Sequence, residues 1–102
     1  MAIRKQFLKS SPICKVTFKI PEEIGNGAKY AHLVGEFNDW STSATPMKHL
    51  KSGTFSVTID LETGRSYQFR YLIGQSHWTN DPEADDELPT PFGESRNSVI
   101  HL

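Results

Sequence analysis

Strict two-residue alternation limits this chain more than any other feature. Cys14, Val16, Phe18 and Ile20 alternate with Lys15, Thr17 and Lys19. Phe55, Val57, Ile59 and Leu61 alternate with Ser56, Thr58 and Asp60. Tyr67, Phe69, Tyr71 and Ile73 alternate with Gln68, Arg70 and Leu72. Successive side chains of an extended strand point to opposite faces, so each run has one apolar face to bury. No segment carries a convincing helical period.

Turn chemistry separates the runs. Pro21 ends the first, Gly25-Asn26-Gly27 turns the chain, and Tyr30 to Val34 reads as a strand closing at Gly35. Thr63-Gly64 joins the second and third runs, and Ser98 to Leu102 reads as a last strand. The acidic stretch Glu83 to Glu87, between Pro82 and Pro89, reads as a solvated loop with at most one helical turn. Short, regularly spaced strands of this kind predict an all-β fold, an antiparallel β-sandwich. Residues 13–102 are read as that domain, and residues 1–12 as an N-terminal extension or first edge strand.

Size and charge remove several classes of function. The chain has 102 residues, whereas a catalytic (β/α)8 barrel needs about 250. The formal net charge is −1, which disfavours nucleic acid and anionic membranes as partners. Cys14 is the single cysteine and stands in register with Val16 and Phe18, so it is expected as a small buried hydrophobe. A chain without disulfides fits a reducing, cytoplasmic setting. The N-terminus has charges but no long apolar run, so neither a signal peptide nor a membrane span is expected. The histidines at 32, 49, 77 and 101 lack metal-ligand spacing, and the acidic stretch lacks the order of a calcium loop. No elbow or triad motif is present, and neither metal, cofactor nor catalysis is expected.

Three loops mix turn formers with aromatics and amides: Gly35 to Met47, Gly74 to Pro82, and Phe92 to Ser98. Sugars explain the mixture. A pyranose has a C–H face that an indole covers at low entropy cost, and a hydroxyl rim that polar side chains satisfy. Trp40 and Trp78, in separate loops, would form a platform spanning neighbouring sugar units.

An ordered set of motifs sharpens this reading. It runs Val34-Gly35-Glu36-Phe37-Asn38-Asp39-Trp40, Pro46-Met47, Gly53-Thr54-Phe55, then Tyr67 through Ile73. It continues with Trp78-Thr79-Asn80-Asp81-Pro82, Phe92-Gly93, and Asn97-Ser98-Val99-Ile100. The set resembles carbohydrate-binding module family 48, an early-set immunoglobulin-like domain. That domain precedes the catalytic barrel of isoamylases and glycogen branching enzymes. It also forms the glycogen-binding domain of the β subunits of AMP-activated protein kinase. The resemblance covers about Lys15 to Leu102. It implies an immunoglobulin-like sandwich of about seven to eight strands that binds glycogen-like or starch-like α-1,4-glucan without catalysis. It further implies stacking on Trp40 and Trp78, hydroxyl contacts from Arg70 and Asn97, an apolar contact from Phe92 and a hydroxyl from Ser95. Two loops are one residue longer than the family's usual pattern, before Trp78 and between Gly93 and Asn97.

Other readings of the same residues stand beside these. Trp40 and Trp78 can cap the core, Arg70 can pair with Glu36 or Asp39, and Asn97 can satisfy loop backbone. Phe37 is expected in the core, and Phe92 divides between loop packing and ligand contact. At the level of the whole domain, the alternative to glucan binding is a protein-interaction module that docks on a separate glucan-active enzyme or self-associates.

Overall fold

The computed structural model describes residues 2–90 and 95–102. Among these residues nine strands form: β1 (Ala2–Phe7), β2 (Ile13–Ile20), β3 (Ala31–Gly35), β4 (Lys48–His49), β5 (Phe55–Glu62), β6 (Ser66–Ile73), β7 (His77–Thr79), β8 (Asp86–Pro89) and β9 (Arg96–His101). A single helical turn, α1 (Glu22–Gly25), follows β2, and a 3₁₀ turn (Glu36–Asn38) follows β3. All pairings are antiparallel. One sheet has the order β1-β2-β5-β4 and the other β3-β6-β9-β8, with β7 also paired to β6.

The three alternating runs become β2, β5 and β6, with their apolar faces turned inward. Cys14, Val16, Phe18 and Ile20 meet Tyr67, Phe69, Tyr71 and Ile100 across the sandwich. Phe18 lies edge-on to Phe69 at 5.1 Å and to Tyr71 at 6.5 Å. Each such buried side chain contributes about 1.5–3 kcal/mol. Cys14 is fully buried, and Phe37 packs on the core beside Phe18 and Tyr67, as their positions in the sequence predict.

Both flanks of the sandwich are tied. On one, residues 45–49 cross between sheets. Thr45 O accepts from Leu33 N–H and Met47 N–H donates to Ala31 O, before β4 joins β5. On the other, Lys5 Nζ of β1 donates to Asp85 Oδ2 at 2.5 Å and to His101 O. Asp85 Oδ2 also accepts His101 N–H. Partial burial pushes the Asp85 carboxyl up, but these two donors and the charges of Lys5 and His101 outweigh it and hold it below the usual range.

The structure corrects the expected strands. Among the described residues nine strands form, in keeping with the about seven to eight expected, and β4 and β7 are too short to show a period. Asp86 and Glu87, expected in a solvated loop, open edge strand β8. All four residues of β8 are exposed, so no apolar alternation marks it. Pro89 ends β8, where an edge strand tolerates the missing N–H. Arg96 and Asn97, expected in a loop, begin β9, and Tyr30 falls outside β3.

Two outcomes test this packing. Gly35 lies where β3 meets β6, and an added Cβ would stand 2.6 Å from Gln68 O and 2.9 Å from Phe69 Cβ. Gly35→Ala lowers unfolding free energy by about 2 kcal/mol in urea titrations. Asp85→Asn costs stability at neutral pH. Because the folded carboxyl titrates below its unfolded value, the wild-type advantage is present above the ordinary carboxylate range. It disappears as pH falls through the depressed folded value. Paired melts from neutral pH into acid read the closing gap.

Candidate functional site

The outer face of the second sheet follows from register alone. Val34 of β3 faces Arg70 of β6, and Leu88 of β8 faces Asn97 of β9. Gln68 faces Val99, and Leu72 faces both His32 and Trp78. Arg70 and Asn97 occupy the next outward positions on adjacent strands, and Arg70 Nε donates to Asn97 Oδ1 at 2.7 Å. Asn97 Nδ2 then donates to Gln68 Oε1 at 3.0 Å. Val34, Leu72 and Val99 are buried on this face outside the central cluster, an apolar floor beneath the polar row.

Trp40 reaches this face from a strained turn. Asp39 and Trp40 have φ of 55° and 59°, a region that costs a residue with a Cβ about 1–2 kcal/mol. Asn38 offsets the strain. Its Oδ1 accepts Gly35 N–H, and its Nδ2 donates to Leu33 O and to Thr45 Oγ1. Trp40 N–H closes the turn on Gly35 O at 2.9 Å. Asn38 therefore has a structural assignment that its neighbours in sequence did not reveal.

Trp78 sits at the centre of β7 and is anchored from behind. Tyr71 OH donates to buried Asp81 Oδ2 at 2.7 Å, and Asp81 Oδ1 accepts Glu83 N–H. Asp81 N–H donates to Ser98 Oγ, while Asn80 Oδ1 accepts from Ser98 N–H and Oγ. Asn80 Nδ2 donates to Arg96 O. Burial first, and the Asp81 charge second, raise the Tyr71 hydroxyl far above its ordinary value, so it stays protonated and donating. The Asp81 and Asp85 carboxylates are thus committed to holding the fold, and no group of His, Cys, Asp or Glu among the described residues could hold a metal ion.

These pieces border one open cleft of about 490 Å³. Trp40, Trp78, Arg70, Asn97 and Ser95 all line it, joined by Glu36, Gln68 and Thr90. The indoles are 39% and 44% exposed, so they are surface groups rather than core caps. Arg70 bonds to Asn97, and neither Glu36 nor Asp39 takes the ion pair weighed from sequence. Ser95 bonds to Thr90. Phe92 lies outside the described residues. Sequence reasoning missed Glu36, Gln68 and Thr90 as lining groups. For Gln68 the alternation gave the signal, since it shares Arg70's face. A second hollow of about 550 Å³, between residues 23–28 and β7, contains neither a tryptophan nor an arginine.

Two flat apolar surfaces, a donor-rich guanidinium and adjacent amides suit a ligand with C–H faces and a hydroxyl rim. The sequence over residues 25–84 matches the family model for carbohydrate-binding module 48 (isoamylase N-terminal domain). A search of curated proteins finds no match. The match spans more than half of the chain, and the chain belongs to that family. Membership supports carbohydrate binding as the class of function and fits a non-catalytic module. No described helix is long and apolar enough to cross a membrane.

The Trp40 turn supplies its own test. Asn38→Ala strands partly buried backbone groups and removes the support for the strained turn. Its expected cost is about 1–3 kcal/mol in urea unfolding. Trp40 emission shifts in the folded state as the turn relaxes.

Proposed function

We propose that this member of the carbohydrate-binding module 48 family holds α-1,4-glucan chains, such as glycogen or starch, across the outer face of its second sheet. Trp40 and Trp78 are the stacking platform. Arg70 and Asn97 read hydroxyls between them, and Ser95 adds a hydroxyl at the same edge. The observation that carries this reading is that five of the expected site residues, from two loops and three strands, border a single cleft.

The chemistry is binding without bond cleavage. A stack of indole on pyranose replaces water on two apolar surfaces at once, and rigid indoles lose little entropy. Arg70 already has its Nε fixed by Asn97, so its remaining donors are presented without much ordering cost. The cleft is open and its polar contacts are few, so single-chain affinity is weak and retention rises on a polymer with many chain ends.

Titration of the domain with maltoheptaose, followed by amide NMR and tryptophan emission, tests the reading. Saturable shifts centre on Trp40, Trp78, Arg70 and Asn97. Trp40→Ala and Trp78→Ala each weaken binding at least about ten-fold, the scale of losing an aromatic anchor of about 2 kcal/mol. Melting temperatures stay near wild type, since both indoles are already exposed. Wild-type affinity in both variants would defeat the platform.

A further inference from the structure

The cleft holds a carboxylate, Glu36, beside the tryptophans and the Arg70–Asn97 pair. Among the described lining residues Glu36 is the one acid and Arg70 the one cation. They are close in the fold. Gly35 pairs with Phe69, which sets Glu36 beside Gln68, one outward position along β6 from Arg70. Diagonal neighbours of this kind lie about 7–8 Å apart, within reach of two long side chains. They nevertheless do not pair.

Each is tied elsewhere by one atom. Glu36 Oε1 accepts Gln68 N–H at 2.6 Å, and Arg70 Nε donates to Asn97 Oδ1. The second carboxylate oxygen and the terminal guanidinium nitrogens make no hydrogen bond to any described residue. An acceptor without protons and a donor without lone pairs are therefore held in one cleft and kept apart. A ligand whose neighbouring groups each donate and accept can satisfy both. A sugar diol does so: one hydroxyl donates to Glu36, and its neighbour accepts from Arg70.

We propose that Glu36 is a specificity-determining residue of this cleft, with Arg70 gripping a neutral vicinal diol and its charge selecting against acidic sugars. The proposal rests on the glucan-binding reading and narrows its ligand class. A uronate or phosphorylated unit could answer Arg70, but it brings a like charge beside Glu36.

Glu36→Gln separates the charge from the fold, because the amide oxygen can still accept Gln68 N–H. The probes are maltoheptaose and maltoheptaose oxidised at C6 to the carboxylate, each titrated into wild type and variant by NMR. A charged acceptor makes hydrogen bonds roughly twice as strong as a neutral one, so the variant binds maltoheptaose about three- to ten-fold more weakly. Its preference for the neutral over the oxidised probe falls by at least as much, while the fold is kept and the melting temperature drops only slightly through the weaker Gln68 N–H bond. Wild-type binding of maltoheptaose with both quantities unmoved in Glu36→Gln overturns the role of Glu36 and leaves the glucan reading intact. A variant that loses affinity for both probes equally overturns the charge selection. No saturable binding of maltoheptaose by wild type overturns the glucan reading and this proposal together.

Discussion

Strand β6 is hydrogen-bonded along both edges, by β3 on one side and by β9 and then β7 on the other. A one-residue slip would break three ladders and turn Tyr67, Phe69 and Tyr71 out into water. That double pairing therefore fixes which side chains face out as firmly as it fixes the core. Arg70 and Gln68 stand on the surface because Phe69, between them, is fully buried. The inner face pays for the placement of the outer one.

What surrounds β6 is positioned by small polar networks rather than by further apolar burial. Asn38 ties the Trp40 turn to β3 and to Thr45, and Asp81 ties the segment after Trp78 to Tyr71 and Ser98. Buried polar groups are costly unless satisfied, and these are satisfied on several sides. Each network also sits next to one indole in the chain. Rigid placement of the two flat surfaces follows from the same bonds that keep the loops folded, which suits an open cleft with little enclosure to offer.

Membership of the carbohydrate-binding module 48 family and the geometry of the cleft contribute differently. The family gives the class of ligand. The cleft gives the arrangement of charges: one guanidinium anchored by Asn97, one carboxylate anchored by a backbone N–H, and no ion pair between them. A surface evolved only to pack against protein would gain little from holding two opposite charges apart in a solvated hollow, since such groups are costly to desolvate unpaired.

Alternation alone determined the inner faces of β2, β5 and β6, because a period of two on an extended chain leaves one way to bury the apolar side. It also placed Arg70 outward, and the motif order marked both tryptophans. The short strands β4, β7 and β8 were not legible. Two to four exposed or edge residues carry no period, and their pairing is decided by partners far along the chain. Asp81 stood in a loop motif with no apolar pattern to mark it as buried, yet it is buried, because the fold brings the Tyr71 hydroxyl and Ser98 to it. Glu36 likewise gained its meaning from Arg70, thirty-odd positions away. Sequence therefore determined which residues must hide and which could meet a sugar. Tertiary structure decided which of them share a cleft and which carboxylates remain to use there, because cross-strand register, not chain order, sets those distances.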